Sequence, residues 1–132
     1  MIRINKDVLD QVVDHARQEL PFEACGYLAG NNDDITSVYR LRNADQSPEH
    51  FSFDPEEQFG VLKDVRKKGL QIIANYHSHP STPARPSDED IRLAYDPEIR
   101  YVIISLSQPE PAVKVFRISN GLADNEELQI TD

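Results

Sequence analysis

The sequence predicts an α/β fold in which a mixed β-sheet is sandwiched by helices. Two long segments place apolar residues at helical spacing, and several short segments are either wholly apolar or alternate with a period of two. The predicted order is helix, two strands, helix, strand, short helix and three strands, which favours helices packed on a sheet. No repeat and no Gly/Ser linker divides the 132 residues, so we expect a single domain over residues 1–132.

The first helix follows Asn5, a residue type that caps helix N-termini, and Pro21 marks its end. Its apolar positions recur at helical spacing: Val8, Leu9, Val12, Val13, Ala16 and Leu20. The segment "ACGYLAG" then predicts a short buried strand, and "GNNDD" a turn. The segment "ITSVYRLRN" alternates in the way that a second strand does.

The second helix begins after Asp54, its predicted N-cap, with Pro55 in the first helical position and Gly69 at its end. The segment "LQIIANYHSH" predicts a third strand, and "SDEDIRLAY" opens a short helix after a loop rich in proline. The segments "RYVIISL" and "AVKVFRI" predict two further strands. The pair Asn120 and Gly121 indicates a hairpin, and we expect "EELQITD" to be its returning strand.

The composition excludes several classes of function. The formal net charge is −9 and the pI is near 4.8, so nucleic acid and anionic membrane are poor partners. No apolar run has the length of a signal peptide or a membrane span. Cys25 is the single cysteine, which fits a reducing compartment, and we expect a cytoplasmic protein. The sequence leaves the oligomeric state open.

His77 and His79 stand two residues apart at the end of the third predicted strand. The two-residue period of a strand places both imidazoles on one face, where they could bind a metal ion such as Zn²⁺. The simpler interpretation is a solvated strand end. Zinc requires about four ligands, so the two histidines alone leave the question open.

Asp90 is the candidate for a third ligand. "SDED", from Ser87 to Asp90, fits the capping-box pattern, in which both residues only close the start of a helix. Alternatively, Asp90 points back across the loop and completes a three-ligand set with one position open for water, which is the catalytic pattern. Pro80, Pro83 and Pro86 restrict the loop between them, although prolines are common in loops.

A hydrolytic site also requires a base, and most of the acidic side chains are expected to be solvated. Glu23 differs from them because it enters the apolar strand "ACGYLAG", where a carboxyl group needs a partner or a function. Three other residues receive structural interpretations. We expect Cys25 to be a buried thiol, His15 to be solvated on the first helix, and His50 to lie at the surface.

Together these residues resemble the JAMM motif of the MPN-domain metalloproteases. The motif consists of Glu23 followed by H-x-H-x7-S-x2-D at His77, His79, Ser87 and Asp90. The segments "PFEACGYLAG", "HFSFDPEEQ", "YHSHP" and "PSDEDIRLA" also follow in the order of that family, so the resemblance covers nearly the whole chain. It implies the JAMM/MPN fold, which is related to that of cytidine deaminases.

The resemblance implies that His77, His79 and Asp90 hold one Zn²⁺ ion with a bound water. Glu23 would be the general base and return the proton to the leaving amine, and Ser87 would donate a hydrogen bond to the oxyanion. Small prokaryotic relatives of this type cut after the C-terminal Gly-Gly of ubiquitin-like sulfur-carrier proteins. We therefore expect such a C-terminal tail as the substrate, in a linear or an isopeptide bond.

Three alternative functions fit these residues less well. A non-catalytic MPN scaffold is expected to lack a motif residue, and none is missing here. A nucleobase deaminase requires H-x-E and P-C-x-x-C, which the chain does not contain. The branch of the superfamily associated with DNA repair usually has a glycine-rich loop after the second histidine, whereas this loop is "PSTPARPS".

Overall fold

The computed structural model describes residues 1–132 and consists of one mixed sheet of eight strands with three helices. The strand order is β7-β6-β5-β4-β2-β3-β1-β8, so β4 and β5 lie in the interior of the sheet. β4 runs antiparallel to β2 and parallel to β5. The strands are β1 (Ile2–Asn5), β2 (Cys25–Asn31), β3 (Asp34–Leu41), β4 (Gln71–His79), β5 (Arg100–Ser105), β6 (Ala112–Ser119), β7 (Leu122–Glu126) and β8 (Leu128–Thr131).

The three helices begin where the sequence predicts them. The helices are α1 (Lys6–Gln18), α2 (Pro55–Lys67) and α3 (Asp88–Arg92). The Asn5 side chain accepts a hydrogen bond from the amide of Asp7, and Asp54 accepts one from the amide of Glu56. Each cap satisfies an amide that has no partner inside its helix, so both predicted N-caps are confirmed.

Helices α1 and α2 cover opposite faces of the sheet. On β2, Leu28 packs into the α1 core with Val8 and Val12, whereas Tyr27 packs into the α2 core with Val61. This alternation follows from the two-residue period of a strand with both faces buried. The predicted α/β class, a mixed sheet sandwiched by helices, is therefore confirmed.

A third apolar cluster lies beside α3, on the far side of β4 from the α2 core. Tyr101 and Ile103 of β5 pack there against Phe116 and Ile118 of β6, with Ile91 of α3 at the margin. The end of β4 lies between this cluster and the α2 core, because β4 pairs with β2 on one side and with β5 on the other.

The sequence prediction is wrong at the two ends of the chain. β1 was not predicted, and the returning strand of the hairpin is β7, which pairs with β6 directly after the turn. Asn120 and Gly121 both have positive φ angles, so the two-residue turn places Leu122 opposite Ser119 and the return begins at once. The segment "LQIT" instead forms β8, which pairs in parallel with β1 at the opposite edge of the sheet.

None of the three helices has both the length and the apolar character that crossing a lipid bilayer requires.

His15 is buried, which corrects its predicted solvated position. Only 6% of the residue is exposed, and its Nδ1 lies 2.7 Å from the hydroxyl of Tyr76, a fully buried residue of β4. The two rings meet edge to face, with centroids 5.8 Å apart. The pair joins α1 to the central strand from the face opposite His77 and His79. Burial, followed by the charge of Arg40, lowers the pKa of His15 to about 4.

This contact predicts a pH dependence of stability. The pKa of His15 is about 4 in the folded chain, and its ordinary value of 6.5 applies to the unfolded chain. Between pH 4 and pH 6.5 the unfolded chain therefore binds more protons than the folded chain. The free energy of unfolding therefore falls as the pH drops from 6.5 towards 4, by up to about 3 kcal/mol from this residue. Urea unfolding at several pH values between 4 and 7 measures the loss.

The matched variant is His15→Gln, which can still hydrogen bond to Tyr76 but does not titrate. We expect its free energy of unfolding to depend less steeply on pH across this window. An equal slope in both proteins would contradict the assignment to His15.

Candidate active site

The end of β4 places two imidazoles side by side. His77 and His79 project from the same face of the strand and are almost fully buried. Their Nε2 atoms lie 3.1 Å apart. His77 is paired in the sheet with Cys25 on one side and Ile103 on the other, so strands on both sides hold it in position.

The start of α3 brings a carboxylate to the same point. Oδ2 of Asp90 lies 3.1 Å from Nε2 of His77 and 3.2 Å from Nε2 of His79. The same oxygen accepts a hydrogen bond from the Ser87 amide, and Oγ of Ser87 accepts one from the Asp90 amide. The predicted capping box is confirmed, and it places Asp90 beside the two histidines.

The spacing of these three atoms suits a metal ion. Nitrogen and oxygen ligands at about 2.0–2.1 Å from a tetrahedral zinc ion are separated by roughly 3.3 Å. The three distances between the Nε2 atoms of His77 and His79 and Oδ2 of Asp90 are 3.1, 3.1 and 3.2 Å. Three electron-rich atoms facing one another in a largely buried position also repel unless a cation or protons lie between them. The donor set therefore fits zinc.

The loop after β4 orients one of the imidazoles. Nδ1 of His79 lies 2.9 Å from the carbonyl oxygen of Pro83, and a carbonyl can only accept. In the neutral ring this contact assigns the proton to Nδ1 and leaves the lone pair of Nε2 facing Asp90 and His77. The proline-rich loop therefore does more than separate the strand from the helix, because its backbone selects the tautomer of His79.

Aromatic packing orients the other imidazole. The ring of His77 stacks on Phe51, with centroids 4.8 Å apart and an angle of 25° between the planes. Its Nδ1 is buried and has no hydrogen-bond partner. Phe51 belongs to the segment between β3 and α2, so a third part of the chain contributes to the position of the ring.

The charges of the cluster compensate one another. Burial acts to raise the pKa of Asp90, but hydrogen bonds from His77 and His79 outweigh it and hold that pKa far below its usual range. Burial likewise acts to lower the pKa of His79, and the hydrogen bonds to Asp90 and the Pro83 carbonyl raise it overall.

Glu23 lies next to this cluster with an unpaired carboxyl group. Only 3% of the residue is exposed, and Oε1 has no hydrogen-bond partner. Burial raises the pKa of Glu23 to about 8, while the charge of His79 lowers it and that of Asp90 raises it. A buried carboxyl group without a partner is rare in folded proteins, and it favours a role toward a bound molecule.

Two polar residues that sequence reasoning did not assign to the site hold the backbone at Glu23 and Ala24 in place. Oγ of Ser78 accepts a hydrogen bond of 2.7 Å from the Ala24 amide, and the Ser78 amide donates one of 3.0 Å to the Ala24 carbonyl. The side-chain amide of Asn43 donates to the Glu23 carbonyl at 3.1 Å. Ser78 is fully buried between two histidines, and a polar residue inside a buried strand is the signal that could have identified it.

The structure agrees with the predicted burial of Cys25 and the predicted surface position of His50. Cys25 is buried, and burial raises the pKa of its thiol to about 12, so it is not an activated nucleophile. His50 is exposed and contacts Asp45 with its Nδ1 at 3.0 Å. Ser87 is exposed at the mouth of the site, and its hydroxyl proton is free to donate because Oγ serves the helix as an acceptor.

Comparison with known proteins supports the same assignment. Residues 5–119 match the family model that describes prokaryotic homologues of the JAB domain. The chain belongs to this prokaryotic JAB family. The resemblance to the JAMM/MPN metalloproteases that the sequence motif indicates is confirmed.

Two curated relatives cover most of their own length and most of this chain. The CysO-cysteine peptidase of Mycobacterium tuberculosis is 33% identical over 132 residues, which is 98% of this chain and 90% of the relative. The desampylase of Haloferax volcanii is 33% identical over 106 residues, with 75% and 76% covered. Because the family members are peptidases of the JAMM type, the chain is a hydrolase.

Two solved structures share the fold of this JAB-family chain. A protein from Desulfitobacterium hafniense is 50% identical, superimposes with a TM-score of 0.92, and is matched over 100% of this chain and 94% of its own. A JAB1/MPN domain protein from Archaeoglobus fulgidus is 21% identical, with a TM-score of 0.68 and coverage of 99% and 100%. The second similarity concerns the fold alone.

The ligand geometry predicts stoichiometric zinc binding. We expect about one zinc ion per chain after dialysis against micromolar zinc. We expect almost none in His77→Ala or Asp90→Ala, because each variant keeps only two of the three ligands and two ligands bind zinc weakly. Inductively coupled plasma mass spectrometry of the purified proteins measures the content. At a free zinc concentration of 100 times its Kd, binding should also raise the free energy of unfolding by about 2.7 kcal/mol.

The matched control is His50→Ala, which removes an exposed histidine outside the cluster. We expect this variant to retain its zinc. Equal zinc loss in His50→Ala, or full zinc content in both ligand variants, would refute a site at His77, His79 and Asp90.

Proposed function

We propose that this hydrolase is a zinc-dependent metallopeptidase that cleaves after the C-terminal Gly-Gly of a ubiquitin-like sulfur-carrier protein. The observation that carries the proposal is the convergence of three ligand atoms beside the buried, unpaired carboxyl group of Glu23. The catalytic domain in this proposal spans residues 1–132, since strands from both ends of the chain join one sheet.

His77, His79 and Asp90 would hold the zinc ion. When bound there, zinc supplies Lewis-acid polarisation of the scissile carbonyl and lowers the pKa of water. The protein's contribution is to keep the three ligand atoms in place through the sheet, the Pro83 carbonyl and the capping box.

Glu23 would act as the proton carrier. Its Oε1 has no partner in the protein, and the positive charge of a zinc ion held at the cluster would lower the pKa of Glu23, so that its carboxylate could take the proton of the attacking water. The same carboxyl group would then give this proton to the departing amine, as a general base that becomes a general acid. The hydrogen bonds between Ser78 and the Ala24 backbone, and the one that Asn43 donates to the Glu23 carbonyl, would keep this segment from moving during the exchange.

Ser87 would stabilise charge on the substrate. Its hydroxyl accepts from the Asp90 amide, which leaves its own proton to donate to the oxygen of the scissile carbonyl as negative charge develops. The capping role fixes the direction of the hydroxyl, so the structural and catalytic functions of Ser87 would support each other.

The names of the relatives support the substrate class. The mycobacterial relative is named as a CysO-cysteine peptidase, and the match covers 98% of this chain and 90% of the relative. We infer that this chain acts on an adduct at the C-terminal tail of a similar carrier. A non-catalytic scaffold would have no use for a buried Glu23 carboxyl group whose Oε1 lacks a hydrogen-bond partner. No observation favours the scaffold.

The central test uses the zinc-loaded protein and a carrier protein with a cysteine joined to its C-terminal Gly-Gly. We expect release of free cysteine, detected by mass spectrometry of the shortened carrier. Glu23→Gln should reduce kcat by roughly 10²- to 10⁴-fold, because the amide cannot take the proton.

Zinc content is the control in this experiment, since Glu23 is not a ligand and the variant should keep its metal. No cleavage of any Gly-Gly adduct by the zinc-loaded wild type, or full activity in Glu23→Gln, would contradict the proposal.

A second prediction concerns Ser87. Ser87→Ala should lower kcat by roughly 10²- to 10³-fold, the usual effect of losing one oxyanion donor. Steady-state kinetics with the same adduct measures this loss. Asp88→Ala, which changes the next exposed residue of α3, should keep its activity.

Loss of the helix cap is a separate effect of Ser87→Ala, because an N-cap contributes about 1 kcal/mol to stability. Zinc content and thermal unfolding distinguish the two effects. If Ser87→Ala retains its zinc and its full kcat, Ser87 has no role as a donor to the substrate.

A further inference from the structure

A cavity of about 410 Å³ adjoins the ligand cluster on the side of His77 and Asp90. Its floor is a row across three paired strands, Tyr27 of β2, Asn75 of β4 and Tyr101 of β5. Phe51 and Phe53 form one wall, and residues from the segment after α3 form the other: Leu93, Tyr95, Asp96 and Ile99. The volume lies in the range of binding pockets for small molecules and side chains.

Asn75 carries the unpaired polar atom of the cavity floor. Its Oδ1 is buried and has no hydrogen-bond partner. Neither neighbouring hydroxyl bonds to this oxygen, since Tyr27 accepts from the side-chain amide of Gln58 at 2.7 Å and Tyr101 donates to the carbonyl of Asp96 at 2.9 Å. A buried acceptor without a donor is destabilising, so this atom is suited to receive an N–H group from a bound molecule.

The position of the cavity assigns it to one side of the scissile bond. His77 and Asp90 line the cavity, whereas Glu23 and His79 do not. In the proposed reaction the departing amine must approach Glu23 to receive its proton. The acyl part of the substrate, which is the tail of the carrier, therefore extends away from Glu23 and into the cavity.

The strand geometry sets the distance along the tail. Asn75 precedes His77 by two residues on the same face of β4, which corresponds to about 6.6 Å in an extended chain. If the tail of the carrier lies extended over the sheet, its two glycines also span about 6.6 Å. The next residues upstream of the Gly-Gly then lie between the walls that carry Phe51, Phe53 and Leu93, and a backbone N–H of the tail reaches Asn75 on the floor.

We propose that this cavity is the specificity pocket for a bulky apolar side chain in the two residues before the Gly-Gly, with Asn75 as a positioning residue that accepts a tail N–H. The inference rests on the proposed function and deepens it. It specifies the substrate as a carrier whose tail has an apolar residue such as leucine before its glycines.

The test compares zinc-loaded protein on synthetic tail peptides that end in Gly-Gly-cysteine and carry either leucine or serine at these two positions. We expect kcat/KM to be at least about tenfold higher for the leucine peptide, since serine leaves the apolar walls unfilled. Equal values of kcat/KM, or a preference that depends only on the residue after the scissile bond, would overturn the assignment.

Two variants separate the side-chain pocket from the hydrogen bond. Tyr95→Ala removes a wall residue that is 80% exposed, so folding should be unaffected, and it should reduce the preference for leucine. Its matched control is Phe59→Ala, an exposed aromatic residue of α2 outside the cavity, which should leave the preference unchanged. Asn75→Leu should raise KM for both peptides by about three- to tenfold with little change in kcat.

Binding of the cleaved leucine tail, ending in Gly-Gly, to Glu23→Gln keeps this inference separate from the proposed function. Isothermal titration calorimetry gives the affinity, and the side-chain amide resonances of Asn75 report contact in nuclear magnetic resonance spectra. Binding with a shifted Asn75 resonance supports the pocket even if no adduct is cleaved. Cleavage without selectivity, or binding that leaves Asn75 unshifted, refutes the pocket and leaves the hydrolase assignment in place.

Discussion

The site depends on the alternation of side chains at the end of β4. His77 and His79 face the candidate metal position, and Ser78, which lies between them, faces the other way and binds the backbone of Ala24. One strand therefore holds both the ligand pair and the segment that carries Glu23. Because β4 is paired on both sides, neither half of this arrangement can shift without breaking the hydrogen bonds of the sheet.

The buried polar groups of the candidate site require hydrogen-bond partners from several parts of the chain. A carboxylate and two imidazoles are removed from water, and Glu23 is buried beside them. The desolvation of such groups destabilises the folded chain unless each one is paired. The pairing is complete for Asp90 and His79, which have partners in α3 and in the loop, but it is incomplete for Glu23 and for Nδ1 of His77. The incomplete positions are those at which a bound ion, water or substrate can add interactions.

The sequence predicts the central part of the fold and the composition of the site. Period-two alternation in β4, the Asp54 cap and the Ser87 capping box are local patterns, and local hydrogen bonds decide them. β8 is a short edge strand that pairs in parallel with β1, and this pairing joins the two ends of the chain, so no local pattern indicates it. The prediction for His15 is wrong because its partner Tyr76 is brought close only by the tertiary fold, and the unpaired oxygen of Asn75 likewise has no sequence signal, whereas Ser78 could have been identified as a polar residue inside a buried strand.

The capping box of α3 shows how one carboxylate can cap a helix and face two imidazoles at the same time. α3 has only five residues, too few to hold a ligand by helical stability alone. Oδ2 of Asp90 accepts from the Ser87 amide and also faces both imidazoles, so the hydrogen bond that starts the helix is the one that aims the oxygen. The exposed helix is in turn anchored to the sheet through the cluster and through the Pro83 carbonyl that contacts His79. Local helix initiation and the placement of Asp90 therefore depend on the same hydrogen bond, which is why a short element without buried residues can contribute an accurately placed candidate ligand.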